Sequence, residues 1–152
     1  MQIKLLGQGS PEVLLNRNNV AHYCGLLGQH RLAVAMFHDI VRDAVLFLGT
    51  THRDTFKYRH NLAHWSEVVF GSESAVYMFE KLTQDRSRAF GSTDVDVLRT
   101  RNRRAFWVAK SGDRERALTL FLELHDDEKR VLGDQHWQYR STSIDMKELG
   151  LK

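Results

Sequence analysis

The sequence predicts an all-α solenoid of antiparallel helix pairs, and three observations carry that prediction. First, a phrase with a hinge glycine, a polar turn and an apolar end recurs four times. It reads LGQGSPEVLLNRNNVA from Leu6, LGTTHRDTFKYRHNLA from Leu48, FGSTDVDVLRTRNRRA from Phe90 and LGDQHWQYRSTSIDMK from Leu132. Its glycines, Gly7, Gly49, Gly91 and Gly133, keep a constant stride of 42 residues. A fixed period of this size marks units that each bury an apolar face against their neighbours. Second, other columns hold the same register: Ala21, Ala63 and Ala105; Ala33, Ala75 and Ala117; Phe37, Phe79 and Phe121; Ile40, Leu82 and Leu124. Third, the 152 residues contain one proline and 10 glycines, which favours long uninterrupted helices.

Within each repeat the first helix starts just after the polar turn, where Ser10, His52, Asp94 and His136 are equivalent. Ser and Asp are good N-caps, and Pro11 suits a first helical turn. Glu12, Asp54 and Asp96 then place negative charge where the helix dipole favours it. In the second repeat Phe56, Arg59, Leu62, Ala63 and Ser66 follow helical spacing. The second helix is clearest in RERALTLFLELHDDEKRVL, where Ala117, Leu120, Phe121, Leu124 and Val131 form an apolar stripe that ends before Gly133. The alanines let helix axes approach at their crossings while the phenylalanines fill the space beside them. Repeats at about 7–48, 49–90 and 91–132, with a cap at 133–152, make one domain.

Composition narrows the function classes. A chain 42% hydrophobic and 27% charged is globular in character rather than disordered. No apolar run approaches the roughly 20 residues of a membrane span, and the N-terminus does not read as a signal peptide. The single cysteine, Cys24, excludes an internal disulfide, so the expected compartment is the cytoplasm. A net charge of +3 is compatible with an acidic partner without demanding nucleic acid.

The words LNRNNVA (15–21), KYRHNLA (57–63) and RTRNRRA (99–105), followed by Gly28 or Gly112 and then the alanine and phenylalanine columns, resemble the tetratricopeptide repeat (TPR). The closest kind is the 42-residue variety of kinesin light chain and many bacterial regulatory proteins. The resemblance runs from residue 6 to about 149. It implies a right-handed superhelix of seven helices, with a short N-terminal extension and a final capping helix. It also implies a noncatalytic protein-interaction module, often a scaffold or regulatory part of signalling proteins, with no cofactor. Three departures stand out. Phe70-Gly71 shifts the second repeat's turn by one residue. Arg104 occupies a column held by Val20 and Leu62, and the last unit is more polar than the others.

In this family the first helices line the concave side. The positions so implied include Asn18, Asn19 and His22 in the first repeat, with Leu15 and Leu26 beside them. The second repeat supplies Lys57, His60, Asn61 and His64, with Val68. The third supplies Arg99, Asn102, Arg103, Phe106 and Lys110. Asparagines can hold a peptide backbone without reading its sequence, and the cations select acidic residues. The expected partner is therefore a protein or peptide segment with acidic residues. A second ladder, Arg17, Arg59 and Arg101 against Asp43, Asp85 and Asp127, is expected to tie repeats together through Asp43–Arg59 and Asp85–Arg101 pairs.

Other readings have less behind them. RTRNRR, Arg99 to Arg104, could meet nucleic-acid phosphates, yet its arginines spread around a helix and sit in columns the repeat explains. His60 and His64 have metal-ligand spacing without a third ligand of fixed spacing, so no metal is expected. No nucleophile motif or phosphate loop supports an enzyme. Tyr23, Trp65 and Trp107 form a structural column, and Trp137 could cover the apolar end of the array or serve self-association through unsealed repeat ends.

Overall fold

A computed structural model describes residues 9–151, and among them it forms seven α-helices and no strand. These are α1 (Pro11–Leu26), α2 (His30–Leu48), α3 (Arg53–Phe70), α4 (Ser72–Phe90), α5 (Val95–Lys110), α6 (Arg114–Leu132) and α7 (Trp137–Glu148). Gly7 and the N-terminal extension lie outside the described residues. The chain separates into two compact units, Met1–Gly71 and Ser72–Lys152. The division falls between the two helices of the second repeat, inside the range expected to be one domain.

The helices begin and end where side-chain chemistry dictates. At the four equivalent N-caps, Ser10 Oγ accepts from Val13 N, His52 Nδ1 from Asp54 N, Asp94 Oδ1 from Asp96 N and Val97 N, and His136 Nδ1 from Gln138 N. A histidine can cap in this way because a neutral ring keeps a lone pair on Nδ1. At the far end of the repeat, Gly49 and Gly133 close α2 and α6 at φ 98° and 89°. An L side chain at these angles would be strained, so glycine ends the helix there.

The predicted turn shift is present and has a simple form. α1 and α5 stop at Leu26 and Lys110 and lead through three residues into the next helix, whereas α3 continues to Phe70 and only Gly71 separates it from α4. The second helices nevertheless start at equivalent columns, His30, Ser72 and Arg114.

In the first unit, Leu14, Ala21, Ala33, Phe37, Ile40, Phe56 and Ala63 are buried. In the second, Ala75, Phe79 and Leu82 are buried, as are Leu98, Ala105, Phe121, Leu124 and Met146, which form one cluster. Every alanine, phenylalanine and aliphatic column read from the repeat is therefore interior.

Two expectations need correction. The arginine–aspartate ladder runs within a repeat, not between repeats. Arg17 Nη1 meets Asp43 Oδ2 at 2.7 Å and Arg101 Nη1 meets Asp127 Oδ2 at 2.8 Å. Each pair joins the first helix of a repeat to its own second helix, with column ten, counted from the hinge glycine, opposite column thirty-six. Second, Tyr23 does not share the burial of Trp65. Trp65 is 6% exposed and lies over Gly25 of α1, whereas Tyr23 is 67% exposed. Arg104, in the column held by Val20 and Leu62, is half-buried. Desolvation, with Arg101 and Arg116 nearby, lowers its pKa, and Glu80 and Glu123 oppose that shift.

Candidate interaction faces

In the first unit the expected residues come from α1 and α3. Asn19, His22, Lys57 and His64 are exposed, His60 and Asn61 are half-buried, and Asn18 is buried. Asn61 Nδ2 donates to Asn18 Oδ1 at 2.7 Å, and Asn18 Nδ2 donates to Asn19 Oδ1 at 3.3 Å. Asn18 thus acts as a joint between α1 and α3. Burial of an amide costs little when its hydrogen bonds are made inside the protein.

Beside this joint, Trp65 is surrounded by imidazoles. His22 and His64 approach it edge-on, with centroids at 5.5 and 5.0 Å, and His30 stacks at 5.8 Å. The close fit requires glycine opposite: a Cβ on Gly25 would come within 2.6 Å of the indole. The indole Nε1–H is buried without a hydrogen-bond partner. An open depression of roughly 420 Å³, lined by residues 28–32, Val68 and Val69, lies at the turn between α1 and α2. Among the described residues no group of three or more His, Cys, Asp or Glu is arranged to hold a metal ion.

In the second unit, Arg99, Arg103, Phe106 and Lys110 follow helical spacing along α5. Arg99 and Lys110 are exposed. The Arg99 guanidinium lies 5.5 Å from the Trp137 ring, while Arg103 and Lys110 lie 4.5 and 5.6 Å from Phe106. Cations over aromatic faces keep their charge and gain a preferred position. Asn102 is fully occupied. Its amide donates to Thr142 Oγ1 and Asp145 Oδ2 at 3.1 and 3.0 Å, and its carbonyl accepts from Arg103 Nε and Nη2 at 2.9 and 2.7 Å. Arg103 also pairs with Asp145 at 3.1 Å, so its charge is largely matched within the unit.

The asparagine joint recurs with a meaning that the sequence reading missed. Asn18–Asn61 and Asn102–Asp145 are both separated by 43 residues, so column eleven of one repeat bonds column twelve of the next. That near-period spacing is visible in the sequence, but a stripe assignment alone treats both columns as facing a ligand.

Glu128 was also missed. It is 1% exposed near the end of α6, and its Oε1 has no hydrogen-bond partner. Burial pushes its pKa up to about 7, against the opposing pull of the Thr142 hydrogen bond and the Arg101 charge, while Asp145 pushes the same way as burial. The amide oxygen of Gln138, one turn before Thr142 on α7, is buried and unpartnered too.

The RTRNRR cluster does not form one basic patch. Arg101 is held by Asp127 and the Ser92 carbonyl, Arg103 by Asn102 and Asp145, and Arg104 is half-buried. Only Arg99 of the four arginines is exposed.

Two crystal structures match this architecture. Both are of a candidate kinesin light chain from Podosopora anserina with nearly identical TPR-like repeats, one of them carrying methionine in place of a glutamine. The substituted form superposes with a TM-score of 0.77 and the other with 0.75. Each shares 17% identity with this chain, and the match covers 94% of this chain and 68% of theirs. The fold is TPR-like. No family model and no curated protein matches the sequence. Among the described residues, no helix of this TPR-like chain is long and apolar enough to cross a membrane.

Proposed function

We propose that this chain is a noncatalytic protein-interaction module that binds peptide-like segments with acidic residues on the first-helix faces of its units. The observation that carries the reading is the α5 face, where Arg99 and Lys110 project into solvent and rest on Trp137 and Phe106. Carboxylates of a partner would find charge there, with aromatic surface beside it to bury. In the first unit Lys57, His60, His64 and His22 form the corresponding face. Hydrogen bonds to a partner backbone fall to exposed Asn19 and to the carbonyl of half-exposed Asn61, whose amide is committed to Asn18, because Asn18 and Asn102 are buried and engaged between helices. A cytoplasmic scaffold or regulatory role, without a cofactor, is consistent with this chemistry.

The test is a quantitative pull-down with wild type and a Lys57→Glu/Arg99→Glu variant. The variant should lose the partners whose captured segments are acidic, and identical partner lists would reject the faces assigned here. Nucleic acid is disfavoured by the internal pairing of the arginine cluster. Binding to generic RNA or DNA that survives moderate salt and needs Arg99 would overturn that judgement.

Self-association is a second reading with its own observation. Val20 and Tyr23 on α1, with Leu27 at its C-cap, are 55%, 67% and 72% exposed. The equivalent residues of α3 include Leu62 and Trp65, which are both buried. A second copy covering α1 would give α1 the burial that α3 already has. Sedimentation that shows a concentration-dependent dimer, lost in Tyr23→Glu/Leu27→Glu, would support it; a monomer at all concentrations would end it.

A further inference from the structure

The α7 helix is attached to the second unit in an unusual way for a helix over an apolar core. Its interior residues are Gln138, Thr142 and Met146, two polar and one apolar. Met146 enters the cluster of Leu98, Ala105, Phe121 and Leu124. Thr142 instead meets the amide of Asn102 and the carboxyl of Glu128, and Gln138 Nε2 donates to the Val95 carbonyl. This junction holds more acceptors than donors, since one oxygen of Glu128 and the amide oxygen of Gln138 both lack partners. A carboxylate there is a buried charge whose nearest cation, Arg101, is already paired with Asp127. A carboxylic acid is neutral and adds the donor that the junction lacks.

We propose that Glu128 is a proton-operated latch for α7: with its proton in place the helix is sealed onto α5 and α6, and loss of that proton loosens it. The opened state would uncover the apolar surface around Leu98 and Leu124 that Met146 covers. Asp145 would leave with α7, releasing Arg103. That last consequence, unlike the latch, rests on the acidic-partner reading above.

The sign follows from the raised pKa. Relative to the unfolded chain, at about 4.5, the sealed state binds the proton more tightly. The contribution of the latch is therefore complete below about 4.5, weakens as pH rises toward 7, and is lost above it. The other charged groups facing this junction are Arg101 and Arg103 on α5 and Asp145 on α7. His125 touches α7 as well: its Nε2 lies 2.7 Å from Ser143 Oγ and its ring stacks on Tyr139 at 4.0 Å. His136 caps the start of α7.

Amide hydrogen exchange of residues 138–148, corrected for the intrinsic rate, tests the latch in the full chain. Protection at about pH 5 should exceed that at about pH 8 by roughly tenfold or more. Glu128→Gln, neutral and of the same shape, should stay protected at both. A His125→Gln/His136→Asn variant run in parallel should keep the wild-type response. Equal protection of wild type at both pH values overturns the latch, as does a response that survives in Glu128→Gln or vanishes in the histidine variant. Should Glu128→Gln fold poorly, the ¹³C shift of the Glu128 carboxyl in wild type decides. It must titrate in step with α7 protection, and a carboxyl already ionised at about pH 5 also overturns the proposal.

Discussion

The two units solve the same packing problem with opposite allocations of polarity. Among its described residues, the first keeps its interior almost free of charge, with Asn18, Thr55 and Ser66 as the buried polar residues. It leaves large apolar residues such as Tyr23, Leu27 and Leu46 in solvent. The second buries Arg86, Arg101, Asn102, Glu128, Gln138 and Thr142, while its exposed face carries arginine and lysine. Both keep the same alanine and phenylalanine columns. The repeat therefore specifies the hydrophobic core and leaves the joints between helices open to different chemistry. A neutral amide pair joins α1 to α3; a charged network joins α5 to α7.

The shared part of that comparison predicts the largest effect. Phe37→Ala and Phe121→Ala each remove a fully buried ring, and each should cost about 3–5 kcal/mol. Urea unfolding monitored by circular dichroism should give similar losses for the two. A loss below about 1 kcal/mol in either would show that the column is not a common core.

The unshared part should appear as a difference in pH response. At about pH 8 the wild-type second unit carries an ionised, buried Glu128, and the gap between 4.5 and about 7 corresponds to at most ~3 kcal/mol. Glu128→Gln should therefore raise the midpoint of chemical unfolding at about pH 8 and change it little at about pH 4. The first unit has no equivalent buried acid among its described residues, so local exchange in α1–α3 should be indifferent to the substitution. Destabilisation at about pH 8 would mean that the carboxylate is better satisfied than its geometry indicates.

The joints themselves should differ by a smaller margin. Asn102→Ala removes two donors and an acceptor from a buried site, leaving Thr142, Asp145 and Arg103 to find new partners, and should cost about 1–3 kcal/mol. Asn18→Ala breaks its bonds to Asn61 and Asn19, but Asn61 is half-exposed and water can replace its partner. The expected loss is about 1 kcal/mol or less. Thermal unfolding of both variants would measure it, and an equal cost would remove the contrast between the joints.

Much of this architecture is legible in the sequence because helix caps, hinge glycines and small crossing residues are local signals that repeat in register. His52 and His136 fall at cap positions by column alone, although histidine is an uncommon choice. The partition of polar residues is less legible. Asn18 and Asn19 both lie on the first-helix stripe, yet one is buried and one exposed, since a one-residue difference in column turns a side chain by about 100° around the helix. Glu128 follows Asp127 in a run of charges that reads as solvated, and only the arrival of α7 over it decides its burial. The ion-pair partners are misassigned for a related reason. Charge periodicity gives Arg17 and Arg59 equal claims on Asp43, and since α1 and α3 both pack against α2, only side-chain geometry decides between them.

The smallest contrast concerns those ion pairs. Arg17 and Arg101 occupy one column and meet aspartates of one column, and each aspartate has a second arginine in reach, Arg42 or Arg130. Burial would raise the pKa of Asp127, but hydrogen bonds from Arg101 and Arg130 outweigh it and hold the carboxyl below its usual value. A depressed pKa stabilises the fold above the ordinary carboxylate range, and that contribution is lost as pH falls through the folded value. Arg101 lies deeper than Arg17: its side chain is 10% rather than 28% exposed. Arg17→Ala should thus cost about 0–1 kcal/mol, as partly solvated pairs do, and Arg101→Ala about 1–2 kcal/mol. Raising salt to about 1 M should shrink the first loss more than the second, because screening reaches the exposed pair more readily. Equal losses with equal salt dependence would mean that the pair alone sets the energy, and that the deeper position of Arg101 contributes nothing measurable.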